Sequence, residues 1–201
     1  IYLAETDEVV SFEYRAVAPL ATNSNLIDYS RTNEWLYTGI GSGVPGMVAG
    51  TTAFHEEYGL LSLAEVLAPA IEAAENGYTV GPTLARVITD YYNLLGERDI
   101  TTELYLIDGF PPEVGDTLYN RPLAATLRRL AEHGPDDFYR GELAERIVEG
   151  IRAEGGVMTL DDFDRYRVNR TSALSIRYRD THTVHSAPLP FGGIGVLMNL
   201  Q

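Results

Sequence analysis

Val9-Val10-Ser11-Phe12-Glu13-Tyr14-Arg15-Ala16-Val17-Ala18-Pro19 and, one polar connection later, Gly43-Val44-Pro45-Gly46-Met47-Val48-Ala49-Gly50 are the stretches on which the fold turns. The β-branched and aromatic residues from Val9 to Tyr14 predict a strand. Ile1 to Ala4 is a second, shorter apolar run. The polar Glu5-Thr6-Asp7-Glu8 between them makes a hairpin. Pro19 has no N–H to give a ladder and ends the pairing. In the second stretch Pro45 suits the first turn of a helix, where its missing donor costs nothing. Val44 to Tyr58 reads as one helix, stopped by Gly59. Residues 21 to 43 form a long polar connection carrying Trp35 and Tyr37, of a length associated with function or motion.

Working outward, helical periodicity dominates the middle of the chain. Ser62 with Glu65 three residues on has capping-box spacing, and Leu63, Val66, Leu67, Ala70, Ile71 and Ala74 form an apolar stripe that Gly77 closes. Pro82 opens a further helix whose face is Leu84, Val87, Ile88, Tyr91 and Leu95, ending at Gly96. The Tyr91-Tyr92 pair reads as helix packing. Residues 98 to 118 are mixed and broken by Pro111-Pro112 and Gly115. Arg121 to Glu132 and Glu142 to Glu154 are amphipathic helices, with Gly134-Pro135-Asp136-Asp137 as the turn between them. Thr159 caps a short turn over Asp161, Asp162 and Phe163. Leu174 to Tyr178 and Thr183 to Ser186 alternate as strands, and Gly192 to Leu200 starts a last helix. Strands, then helices, then strands is an α+β order, with strands from both ends of the chain expected in one sheet. The 201 residues are expected to form a single domain.

Composition removes several classes of function. The formal charge is −14, and all fifteen basic residues are Arg, so general nucleic-acid binding is excluded. No run of eighteen apolar residues spans a membrane. The chain contains no cysteine, which removes disulfides, thiolate metal sites and a Cys nucleophile. No signal peptide is legible from Ile1 onward, and a start at Ile rather than Met suggests residues upstream.

The four histidines, His55, His133, His182 and His185, lack a nucleophile context. His182 and His185 are three apart on a strand and face opposite sides. Asp161, Asp162 and Asp164 lack the glycine and closing Glu of a calcium loop and suit a helix N-terminus instead. No phosphate loop or dinucleotide fingerprint is present.

Four segments, in order, resemble the large subunit of gamma-glutamyltranspeptidases. They are Phe12 to Pro19; Gly43 to Gly50 followed by Tyr58-Gly59 and Leu67 to Gly77; Asn120 to Ala124 with Gly134 to Gly141; and Gly155 to Phe163 followed by Pro188 and Gly192-Gly193. The resemblance implies part of an N-terminal-nucleophile αββα sandwich, mostly helical with strands near both ends of the chain. It implies acyl transfer by an N-terminal Thr of a small subunit cut from the same precursor. That Thr lies beyond residue 201 in the family's layout, and an opening helix and strand precede residue 1. By itself the chain would then be an inactive large-subunit fragment, with open sheet edges that favour aggregation or dimerisation. The small subunit is the implied partner, a gamma-glutamyl small molecule such as glutathione the implied substrate, and no cofactor or metal is implied. A periplasmic or extracellular address goes with the resemblance and leaves a cytoplasmic one open.

Within the resemblance Arg15 is the site residue. A guanidinium holds a carboxylate by two parallel N–H···O bonds, and the family's matching Arg holds the donor's α-carboxylate. The alternative is a structural pair between Arg15 and Glu13. Two departures stand out. Ala16 follows Arg15 where the family usually has Glu, which favours acylases for glutaryl or other acyl groups as a rival reading. Phe191 stands in Pro188 to Gly193 where the family often has Ser. A non-catalytic binding module of the same fold is a further rival.

Overall fold

The structure, a computed structural model, describes residues 1–27 and 38–201, so Trp35 and Tyr37 lie outside the described residues. It divides into two compact units, Ile1–Gly59 with Pro135–Gln201, and Leu60–Gly134. Among the described residues no helix is long and apolar enough to cross a membrane.

The first unit is built on the expected hairpin. β1 (Tyr2–Leu3) pairs antiparallel with β2 (Glu8–Glu13), Tyr2 opposite Val9, around a turn in which Asp7 takes φ 53°. The other edge of β2 pairs with β5 (Asn169–Ser172), Val10 opposite Ser172 and Glu13 opposite Asn169. A strand from each end of the chain therefore does share one sheet. The shared strand is not one of those read from the sequence, because Asn169-Arg170-Thr171-Ser172 has no apolar face to betray it. The two expected strands, β6 (Leu174–Tyr178) and β7 (His182–Ser186), form their own antiparallel pair, on which α10 (Gly193–Leu200) packs.

Helix α1 (Met47–Tyr58) lies against β2. It starts three residues later than the periodicity suggested, and Pro45 is not in its first turn. Val44 is held outside the helix by a two-way backbone bridge with Val17, N–H to carbonyl at 3.2 and 2.8 Å. Gly46 then supplies an N-cap without a side chain. The missing cap is replaced from a distance: the Tyr139 hydroxyl accepts from Ala49 N–H at 3.1 Å and donates to the Pro45 carbonyl at 2.6 Å. Tyr139 sits on α7 (Pro135–Arg140), a short helix that replaces the expected turn because Pro135 opens it as readily as it would end another. Tyr139 stacks on Tyr166 at 5.5 Å in a core with Val44, Ala144, Val148, Met158 and Phe163, closed by α8 (Glu142–Ala153) and α9 (Leu160–Asp164).

On the sheet face under α1, Phe12 meets Phe54 and Tyr58 edge-on at 6.0 and 6.3 Å. Arg170 on β5 grips both carboxylate oxygens of Glu57 and also donates to the Tyr58 hydroxyl. Asp162 is nearly fully buried and forms a capping box with Thr159, while its other oxygen accepts from Leu20 N–H at 2.7 Å. Burial alone would raise the Asp162 pKa. The hydrogen bonds from Leu20 and Thr159 outweigh it and hold the carboxyl below its ordinary range.

The second unit follows the sequence closely. α2 (Leu63–Asn76) has the reciprocal Ser62–Glu65 capping box and ends at Gly77, φ 98°. It runs along α6 (Arg121–His133), joined to it by an Arg128–Glu75 ion pair. The expected helix from Pro82 is broken in two. α3 (Pro82–Asp90) and α4 (Tyr92–Leu95) meet at Tyr91, which leaves helical geometry and is exposed, while Tyr92 turns inward and donates to the Gly109 carbonyl. α5 (Asp99–Tyr105) follows. β3 (Tyr78–Thr79) and β4 (Thr117–Leu118) form a two-stranded ladder, and Leu118 of β4 joins Val80, Ala85, Ile88 and Leu106 in the core of this unit, with Tyr78 packed against it.

Replacing Tyr139 by Phe removes a donor and an acceptor from buried backbone partners and should destabilise the protein by about 1–3 kcal/mol in urea denaturation. Burial pushes the Tyr139 pKa up to about 12. Its contribution is therefore present below the unfolded value near ~10 and lost as pH rises through the folded one, so Tyr139→Phe should lose part of the wild-type alkaline destabilisation. Asp162→Asn should cost about 1–3 kcal/mol near neutrality. Because the folded pKa is depressed, the carboxylate's contribution is lost as pH falls below the unfolded value near ~3.9, and the variant and wild type should converge at lower pH. A constant gap between the two across that range would contradict this.

Candidate functional site

Arg15 lies two residues past the end of β2 and two before the Val17–Val44 bridge, so both sides of its backbone are fixed. A third tie holds its carbonyl, which accepts from the Tyr166 hydroxyl at 2.9 Å. That bond passes directly over Gly46. A Cβ there would stand 2.0 Å from the Tyr166 hydroxyl and 2.0 Å from the Tyr14 carbonyl. Gly50, one turn on, would likewise drive a Cβ into the Tyr14 ring at 2.0 Å. Without side chains here the helix start packs closely on the sheet, and the strand end is clamped by it.

Alternation along the strand puts Phe12 and Tyr14 under α1 and Glu13 and Arg15 on the opposite side. The Arg15 Nε stands 3.5 Å from Glu13 Oε1, so the structural pair considered from the sequence is present. Glu13 is also approached by its cross-strand partner, Asn169 Nδ2 at 3.5 Å from Oε2. The carboxylate of Glu13 contributes to raising the Tyr166 pKa, after burial of that ring. The Arg15 side chain remains half exposed, at 52% against 24% for Glu13. Its guanidinium also lies over the ring of Phe191, 5.2 Å from the centroid. The structure thus brings together Arg15 and Phe191, which the sequence singled out separately, and adds Asn169 and Tyr166, which it did not. Asn169 was hidden with its polar strand. Tyr166 follows the Thr159 cap by a fixed spacing, but nothing in the sequence aims its hydroxyl at Arg15.

The remaining candidates do not converge on Arg15. Asp161 pairs with Arg165 and Asp164 with Arg140, while Asp162 caps α9. His55 is near the C-terminus of α1, His133 ends α6 beside Glu132, and His182 Nδ1 meets its neighbour Thr181. His185 lines a cleft of about 330 Å³ with Ser11, Phe12, Phe54 and Ser186, and Arg15 is not in its wall. Among the described residues no three His, Asp or Glu gather to hold a metal ion. The Ala49 N–H in the first turn of α1 is taken by Tyr139.

The fold is an α+β scaffold in which a sheet packed on a helix presents one arginine from a strand end. The gamma-glutamyltranspeptidase family model matches residues 1–201, and the chain belongs to that family. It is 31% identical to glutathione hydrolase 3 of Arabidopsis thaliana over 193 residues, 94% of this chain and 30% of that protein. It is 31% identical to the glutathione hydrolase proenzyme of Escherichia coli K12 over 204 residues, 98% of this chain and 35% of that protein. The crystal structure of Helicobacter pylori gamma-glutamyltranspeptidase superposes with a TM-score of 0.88 at 28% identity, covering 96% of this chain and 56% of that one. The chain spans about a third of the length of the curated relatives it matches.

The clamp at Gly46 gives a direct expectation. Gly46→Ala meets backbone on one side and a core tyrosine on the other, and should destabilise by about 1–3 kcal/mol or more. Unchanged stability in urea denaturation would mean that the Tyr166–Arg15 bond is not under this constraint.

Proposed function

We propose that this chain is the large-subunit portion of an enzyme that hydrolyses or transfers gamma-glutamyl groups, with Arg15 as the residue that holds the donor's α-carboxylate. What supports the reading is a half-exposed guanidinium on a backbone fixed from three directions, in a chain whose relatives are named glutathione hydrolases. Glutathione is accordingly the first donor to test. The 201 residues act as one domain-sized piece, and the small subunit of the same precursor is the partner.

The reaction is acyl transfer. The hydroxyl of an N-terminal Thr, outside these residues, attacks the γ-amide carbonyl with its own α-amine taking the proton, the C–N bond breaks as that proton passes to the leaving amine, and water or an acceptor amine then releases the acyl group from the Thr ester. Arg15 makes no covalent bond. It fixes one end of the donor so that the amide at the other end meets the nucleophile, which reduces the entropy lost at the reaction step. A charge-assisted hydrogen bond of this kind contributes roughly 1.5–3 kcal/mol, a factor of about 10 to 150 in affinity. The bound carboxylate displaces Glu13 as the partner of Arg15, and Asn169 remains to hold Glu13.

The test uses the full-length gene product. Intact mass after incubation should give two chains, the smaller beginning with Thr. In the processed enzyme Arg15→Gln should raise KM for a γ-glutamyl anilide by about 10- to 100-fold with a smaller change in kcat. A single unprocessed chain lacking that Thr would overturn the reading, and an unchanged KM would remove Arg15 from it.

A further inference from the structure

Arg15 has two neighbours of different kinds. Glu13 Oε1 stands 3.5 Å from the Arg15 Nε, while the Arg15 Cζ lies over the Phe191 ring, 5.2 Å from the centroid. The difference matters because a guanidinium directs its N–H bonds in its own plane and offers its flat face to a π-system. An aromatic ring on the face leaves the in-plane fork open. The backbone that carries the ring is fixed. Phe191 N–H donates to the Pro188 carbonyl at 3.1 Å, closing the turn before α10. Two residues on, Gly193 sits so tightly on the end of β7 that a Cβ would lie 2.2 Å from the Ala187 carbonyl. A ring on backbone so anchored, 176 positions along the chain from Arg15, lies against the end of a side chain that otherwise has four rotatable bonds.

We propose that Phe191 is a positioning residue for Arg15. Its ring holds the guanidinium plane so that the fork points outward to an acyl donor ending in a carboxylate, and keeps water from the covered face. This rests on the reading of Arg15 as the donor's carboxylate site. It adds a selectivity: donors with a free carboxylate gain from the held plane, whereas donors whose carboxylate is esterified cannot accept both N–H bonds and gain nothing.

The test uses the processed full-length enzyme and two donors, a γ-glutamyl anilide and its α-methyl ester. Phe191→Leu should raise KM for the acid by about 3- to 10-fold, leave kcat and Tm unchanged, and lower the acid-over-ester ratio of kcat/KM by the same factor. Phe191→Tyr, which keeps the ring, should restore wild-type values. Phe191→Met, of similar volume without a ring, serves if the Leu variant does not fold, and should behave as the Leu variant is expected to. If Arg15→Gln raises KM but Phe191→Leu and Phe191→Met do not, the positioning proposal fails and the Arg15 reading stands. If Phe191→Leu weakens acid and ester equally, the ring is only a wall and the proposal is overturned. If Arg15→Gln leaves KM unchanged, the underlying reading fails and the proposal falls with it.

Discussion

The close approach at Gly46 is the constraint on which the candidate site depends. The Tyr14 carbonyl, the Tyr166 hydroxyl and the start of α1 meet where any side chain would have to overlap two of them. Because there is none, a core tyrosine can reach across the helix start and bond the Arg15 carbonyl at 2.9 Å. The strand end is thereby tied to the aromatic core, and a side chain that is half in water is carried on backbone that is not free to move. Preorganisation of this kind reduces the ordering cost when a ligand binds.

A second tyrosine completes the arrangement. Helix α1 begins at a glycine, which offers no side-chain cap, and the Tyr139 hydroxyl takes over that role while anchoring Pro45. Tyr139 and Tyr166 stack on each other, so the bond that caps the helix and the bond that fixes Arg15 arise from one packed pair. The same logic operates at the other end of α1, where Arg170 on β5 ties Glu57 and Tyr58 to the sheet. Helix and sheet are joined at both ends by polar bonds over an aromatic filling, and the arginine at the open end faces the opposite side.

Family membership places the chain among gamma-glutamyltranspeptidases, and the H. pylori enzyme of that name shares its fold. It does not explain Phe191, which departs from the pattern that carried the resemblance. The departure acquires a physical meaning only beside Arg15, whose guanidinium lies over the ring and also stands within ion-pair distance of a carboxylate.

The sequence by itself determined what is local. The Asp7 turn, the Ser62–Glu65 and Thr159–Asp162 caps, the stop at Gly77 and the strand character of residues 9–13 all depend on neighbours within a few positions. The α+β class was legible in the same way, and Arg15 was marked as a candidate by its place in the family's strand motif. Tertiary structure decided the rest, wherever a distant group competed with a local preference. Val44 was drawn out of helix α1 by Val17, and Tyr91 left the helical face it fits by period. Asn169–Ser172, without an apolar pattern, became a strand because β2 had an edge to pair. Periodicity records which face of an element is apolar, and it holds no information about which backbone will arrive to bond it. For that reason Arg15 and its neighbour Glu13 were legible as candidates, while Asn169, Tyr166 and Phe191 became their surroundings only once the chain had folded.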